Sequence, residues 1–300
     1  MIRVKRKQNS ALSLYLSTTG LTVFLDLWAI KELAKGDPAR RKRFVAALRR
    51  GADLLFSVSN AAELSGALDG SFKAMKGFLN ELGPRWFPVE LDPLVVIGRE
   101  KEGKPADKCC FSDQFLKDFL ASRLTLGPMG QVVGLSPELF ALGHVMDWLA
   151  PQRDSIARGR AQLDAALIER IEKYRAKHDA DSAWLDRVFP AIRFSRPFAA
   201  TFAYVNLVRA LILESKSWRM MPGDGIDFCQ AVIGSAFSNY ATLDKKWKRR
   251  IEALPKPNKM ARLYYSPELD AMVDDIEAAL DRLAVQRGRA IAASDGEPIP

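Results

Sequence analysis

Cysteine and histidine are both scarce, with three and two residues in a chain of 300. Cys109 and Cys110 are adjacent and Cys229 lies in an apolar run, so the spacings of a zinc site or a disulfide framework are missing. Two histidines, His144 and His178, argue against a histidine-based zinc centre and against a Ser-His-Asp triad. Also absent is an uninterrupted apolar run of about 20 residues, the length a bilayer-spanning helix needs. "MIRVKRK" followed by "ALSLYLSTTGLTVFL" imitates a secretory leader. Ser17, Thr18, Thr19 and Gly20 interrupt it, and no small-residue cleavage site follows. The expectation is a soluble, cytoplasmic chain in a reducing setting, with no membrane contact.

What the chain does have is apolar mass and positive charge. Hydrophobic residues make up 48%, enough at this length for a sizeable core. The net charge is +9. It points to an anionic partner, nucleic acid being the commonest, or to a generally basic solvated surface.

The pattern along the chain predicts an α/β unit. "LTVFLDL" (21–27) and "DLLFSVS" (53–59) are nearly all apolar, as strands buried on both faces are. Between them, "WAIKELAKG" reads as a helix ended by Gly36. A second helix starts with Asp37 as N-cap and Pro38 at its first position. Ser59 or Asn60 caps a long helix that Gly83 and Pro84 stop. From 84 to 196 the sequence turns irregular, then helical, and is expected to be a helical insertion. A strongly apolar helix follows, then a helix from Asp224, the strand "YATL", the basic helix "KKWKRRIEAL", the strand "MARLYYS" and a last helix to about Arg287. The expected organisation is a discontinuous domain (1–83 and 197–288), the insertion (84–196), and a disordered tail (289–300).

Acids recur where this scheme puts strand ends and helix starts. Asp26 ends the first strand and Asp244 ends "YATL". In open parallel sheets, ligands bind outside such carboxyl ends. Each is equally readable as a turn residue. Glu63 falls in a predicted first helical turn, which the helix dipole alone accounts for. Asp224 and Asp227 are close to a capping box. Taken together, these carboxylates would repel one another, and divalent cations relieve that repulsion. Oxygen-only ligands select Mg²⁺ or Mn²⁺.

"TVFLDLWAIKEL", "LLFSVSNAAELSG" and "PGDGIDFCQAVIGSAFSNYATLD" resemble, in this order, the three blocks of PIN-like domains. These are metal-dependent nucleases. They carry an acid after the first strand, another after the second, and a pair flanking a later helix and strand. The resemblance covers about 21–82 and 211–266. It implies a PIN-like three-layer α/β fold with a central, mainly parallel sheet and a large helical insertion. By the same resemblance, Asp26, Glu63, Asp227 and Asp244 are the catalytic, metal-holding acids, and Asp224 is a further metal candidate. Leu27 and Trp28 depart from the pattern, since many members have a small polar residue directly after the first acid.

The implied activity is hydrolysis of phosphodiester bonds, in RNA rather than DNA, by an endoribonuclease using Mg²⁺ or Mn²⁺. A toxin or defence role comes with the resemblance, together with an inhibitor or antitoxin protein and a homodimer as candidate partners. Lys245, Lys246, Lys248, Arg249 and Arg250 follow Asp244 directly and are expected to hold the nucleic-acid backbone. A second basic run, "ARRKRF" with Arg49 and Arg50, is a candidate for the same role. Two rival readings remain. One is a non-catalytic binding protein on a degenerate PIN-like fold. The other is a phosphatase of the haloacid-dehalogenase type, which would want an aspartate where Trp28 stands.

Overall fold

A computed structural model describes residues 2–6, 12–16, 18, 20–65, 71–123, 125–126, 132–133, 140–214 and 218–294. Strands β1 (Ile2–Arg6) and β2 (Leu12–Leu16) form an antiparallel hairpin of their own. Next come β3 (Leu21–Phe24), α1 (Leu27–Lys35), α2 (Pro38–Gly51), β4 (Ala52–Ser57), α3 (Val58–Ser65), α4 (Ser71–Leu82) and β5 (Trp86–Val89). The middle of the chain holds α5 (Pro93–Lys101), α6 (Ala106–Cys110), α7 (Asp113–Arg123), the short pair β6 (Thr125–Leu126) and β7 (Val132–Val133), α8 (Gly143–Leu149), α9 (Arg153–Ala180) and α10 (Trp184–Val188). The last third is α11 (Ala199–Leu213), α12 (Asp224–Phe237), β8 (Tyr240–Thr242), α13 (Lys245–Glu252), β9 (Arg262–Tyr264) and α14 (Leu269–Ser294).

Five strands make one parallel sheet in the order β5-β4-β3-β8-β9. Side chains alternate between two cores, as a sheet covered on both faces requires. Val23, Leu54, Phe56, Trp86, Tyr240 and Tyr264 face one core. Phe24, Leu55, Phe87, Ala241 and Leu263 face the other. The first core is closed by α1, α2, α4, α8 and α14, and the second by α5, α9, α11, α12 and α13. The chain is therefore a three-layer α/β fold. Gly234 of α12 lies against the Phe24 ring; a Cβ there would stand 2.7 Å from it.

Sheet order decides where a ligand would sit. From β3 the chain steps outward to β4 and β5, then returns to β8 and β9 on the other side. The order reverses between β3 and β8, and the crevice of such a fold opens beyond their carboxyl ends.

Three expectations meet a different structure. The segment 84–196, expected as a helical insertion, supplies the edge strand β5. Its Pro88 is tolerated because an edge strand leaves one side without ladder bonds. Helix α8 packs on α3 and α4, and α9 packs on α11 and α12, so these helices belong to the main cores. The single helix expected through 60–82 is two helices, α3 and α4, and 66–70 lies outside the described residues. Helix α14 continues to Ser294, beyond the expected end near Arg287. Of the tail expected to be disordered, 295–300 lies outside the described residues. Among the described residues no helix is long and apolar enough to cross a membrane.

Candidate active site

The crevice at the β3–β8 switch is where the predicted acids meet. Asp26 follows β3 directly and caps α1: its Oδ1 accepts from Leu27 N–H at 2.6 Å. Its own N–H donates to Thr242 Oγ1 at the end of β8, 2.8 Å away. That bond ties the two strand ends together across the reversal. Asp244 lies two residues past β8. Its carboxylate makes no cap bond to α13 and is exposed.

Glu63 and Asp227 come from helices on opposite faces. Helix α3 begins at Val58, earlier than expected, because Ser57 at the end of β4 already acts as the cap: its Oγ accepts from Asn60 N–H at 3.2 Å. Glu63 therefore lies in the second turn of α3, outside the first-turn reach of the helix dipole. Asn60 Oδ1 accepts from Ser57 N–H and Oγ, and its Nδ2 donates to Leu25 carbonyl at 3.3 Å. This buried amide locks α3 to the end of β3. Asp227 is in the first turn of α12.

The four carboxylates act on one another electrostatically. Burial pushes the Asp26 carboxyl up to about 8; the Leu27 bond opposes this, and the charges of Asp244, Asp227 and Glu63 add to it. Burial likewise pushes Asp227 up to about 6, opposed by Lys246 and reinforced by Asp244, Glu63 and Asp224. Glu63 is raised by burial against the pull of Arg160.

Two cations from the chain itself offset this charge. The Arg160 guanidinium, on α9, donates to Glu63. Lys246, on α13, pairs with Asp224 and lies 3.9 Å from Asp227. Asp224 also accepts from Met221 N–H at 2.8 Å. The capping role expected for Asp224 belongs elsewhere. The N-cap is Gly223, in a left-handed conformation at φ 99°. The cap acceptor is Asp164 of α9, whose Oδ2 accepts from Gly223 N–H at 2.7 Å and whose Oδ1 accepts from Gly225 at 2.7 Å and Ile226 at 3.3 Å. α9 approaches so closely that a Cβ on Gly225 would stand 2.8 Å from Asp164 Oδ1.

Every candidate ligand is a carboxylate oxygen, the donor type a hard divalent cation takes, although Arg160 and Lys246 already offset part of the charge. Among the described residues, no three His, Cys, Asp or Glu side chains form a ready cage. Asp26, Asp227 and Asp244 are not held by Arg160, whereas Glu63 is.

The basic residues expected to hold nucleic acid divide. Lys246 faces the acids. Lys248 pairs with Glu268 at 2.5 Å and lies over the Tyr265 ring. Arg250 pairs with Glu214 at 2.9 Å and is stacked by Trp218 and Trp247. Both are held in place by the fold, leaving Lys245 and Arg249 as exposed cations. The run on α2 is not a free basic face: Arg40 pairs with Asp270, Arg43 with Asp274 and Glu277, and Arg50 with Asp281, all on α14 except Arg40's further pair to Glu32 on α1.

Arg160, Asp164 and Thr242 were not singled out from sequence, and Asn60 was read there only as a possible helix cap. Arg160 and Asp164 sit in a long charged helix whose residues carry no local mark of their partners. Comparison with known proteins finds no matching family model, no matching curated protein and no matching solved structure.

Proposed function

We propose that the protein is a Mg²⁺- or Mn²⁺-dependent nuclease of PIN-like type that cleaves phosphodiester bonds, RNA being the favoured substrate. The observation that carries this reading is the convergence of Asp26, Glu63, Asp227 and Asp244 from four elements on the carboxyl edge of the sheet. Burial, with a smaller contribution from the neighbouring acids, pushes the Asp26 carboxyl up to about 8. Carboxylates driven that far from their ordinary value mark functional sites more often than structural ones. Asp26, Asp227 and Asp244 would hold the metal, with Glu63 joining on release from Arg160. Asp224, engaged by Lys246 and Met221 N–H, supports the site from one side. A bound metal supplies an activated water and charge to stabilise the leaving oxygen. The Asp26 carboxyl must give up its proton to serve as a ligand, so metal binding strengthens as pH rises. Lys245 and Arg249, exposed on α13, would meet the phosphate backbone.

One observation favours a second reading, a non-catalytic binding protein: Arg160 and Lys246 already neutralise part of the acidic cluster. Incubating the full chain with end-labelled RNA and single-stranded DNA separates the two, in Mn²⁺ and in chelator, beside Asp26→Asn and Asp244→Asn. Metal-dependent cleavage lost in both variants supports the nuclease. Cleavage that persists in both overturns the assignment of the acids. Binding without cleavage under any metal favours the second reading.

A further inference from the structure

Arg160 belongs to a helix in the segment expected to be an insertion, yet it reaches the carboxylate of Glu63, 97 residues earlier in the chain. Its side chain remains a quarter exposed, at 26%, while Glu63 is at 14%. Its guanidinium Nε is buried without a hydrogen-bond partner. Arg160 is thus held by a single carboxylate and keeps unspent donor capacity, unlike Arg175 on the same helix. Arg175 directs its guanidinium to the carbonyls of Leu211 and Trp218. Four residues on, Asp164 fixes α9 against α12 through three backbone N–H groups, so the helix that carries Arg160 is itself anchored. On the opposite flank, Lys246 stands in the same relation to Asp224 and Asp227.

We propose that Arg160 is an exchangeable counter-ion that couples metal to nucleic acid, an inference resting on the nuclease reading above. Without metal, its guanidinium neutralises Glu63. A divalent cation competes for the same carboxylate. Once displaced, the guanidinium turns its donors to a phosphate oxygen of the substrate, for which its planar fork is suited. Metal and polyanion then strengthen each other's binding, because each is favoured by the same change of partner. Such coupling is reciprocal by linkage.

The test uses the full chain and two binding measurements that need no cleavage. Mn²⁺ affinity is titrated without nucleic acid. Affinity for a fluorescein-labelled single-stranded RNA is measured in chelator and in Ca²⁺. Arg160→Ala should bind Mn²⁺ at least about fivefold more tightly than wild type and lose the gain in RNA affinity that Ca²⁺ gives wild type. Glu63→Gln should do the reverse in chelator, binding RNA more tightly because Arg160 is already free. Arg160→Lys, which keeps the charge, should stay near wild type for Mn²⁺. Equal Mn²⁺ affinity in wild type and Arg160→Ala overturns the inference and leaves the nuclease reading standing. So does a Glu63→Gln variant whose RNA affinity in chelator is unchanged. Absence of Mn²⁺ binding in every variant overturns both.

Discussion

Carboxylates drawn in from the surface fall into two groups in this protein. Asp164 and Glu100 are buried and fully answered. Asp164 receives three backbone N–H groups at the start of α12. Glu100 receives Ala200 N–H, Thr201 N–H and Thr201 Oγ at the start of α11. Each caps a helix from a distant part of the chain, where the unpaired N–H groups and the helix dipole favour an anion. Asp26 and Asp227 are only partly buried, with 31% of the Asp227 side chain exposed, and their neighbours are other acids. Asp26 has one backbone donor, Leu27 N–H, against three carboxylates. The groups differ above all in what fills the space around each carboxylate. A carboxylate met by donors holds the fold together. One met by carboxylates costs stability.

The sharpest way to break this contrast is to remove one carboxylate from each group. Asp164→Ala strands three N–H groups at the mouth of α12 and should lower unfolding free energy by about 3 kcal/mol. Denaturant titration reads this directly. If the loss is negligible, Asp164 is not what holds α12. The next largest effect is on pH. The folded chain holds the Asp26 proton up to about pH 8, whereas the unfolded chain releases it near 3.8. Protons bound in the native state exceed those in the unfolded state across that window, so metal-free stability must fall as pH rises. The limiting slope is about 1.4 kcal/mol per pH unit. Melting in chelator from pH 5 to pH 8 should reveal a net decline on the order of 2 kcal/mol, and a flat profile would remove Asp26 from the strained group.

Asp26→Asn keeps the acceptor that caps α1 and removes the charge. At pH 8 in chelator it should stabilise the protein by about 1 kcal/mol, opposite in sign to Asp164→Ala. Destabilisation there would place Asp26 with the capping acids. The smallest effect belongs to the helix pair α2–α14. Arg40 meets the half-exposed Asp270 and Glu32, and Arg40→Ala should cost only about 0.5 kcal/mol, a loss further reduced at high salt.

Much of the fold was readable from local pattern. Apolar runs at 21–27 and 53–59 mark strands buried on both faces, and alternation between two cores follows from the two-residue strand period. Asp37 and Pro38 announce the start of α2, and Asp37 Oδ1 does accept from Ala39 N–H at 2.9 Å. The segment "RWFPVELD" was read as irregular for its charge and turn residues, yet it holds the edge strand β5, where Pro88 is tolerated. Asp224 misled because an aspartate at a helix start normally caps it. Here Asp164 takes that place through space, and Gly223 supplies the left-handed turn.

The sequence by itself determined which acids stand at strand ends and helix starts, since those positions depend on near neighbours in the chain. It equally determined the apolar strands that make the sheet. Only the tertiary structure decided what each charge faces. "ARRKRF" and "KKWKRR" are alike in composition, yet one lies along the acids of α14 and the other begins at the acidic crevice. Arg160 and Glu63, and Asp164 and the mouth of α12, meet across intervals of 97 residues and about 60. Electrostatic partnership falls off with distance in space, and no local pattern encodes a partner brought there by the packing of α9.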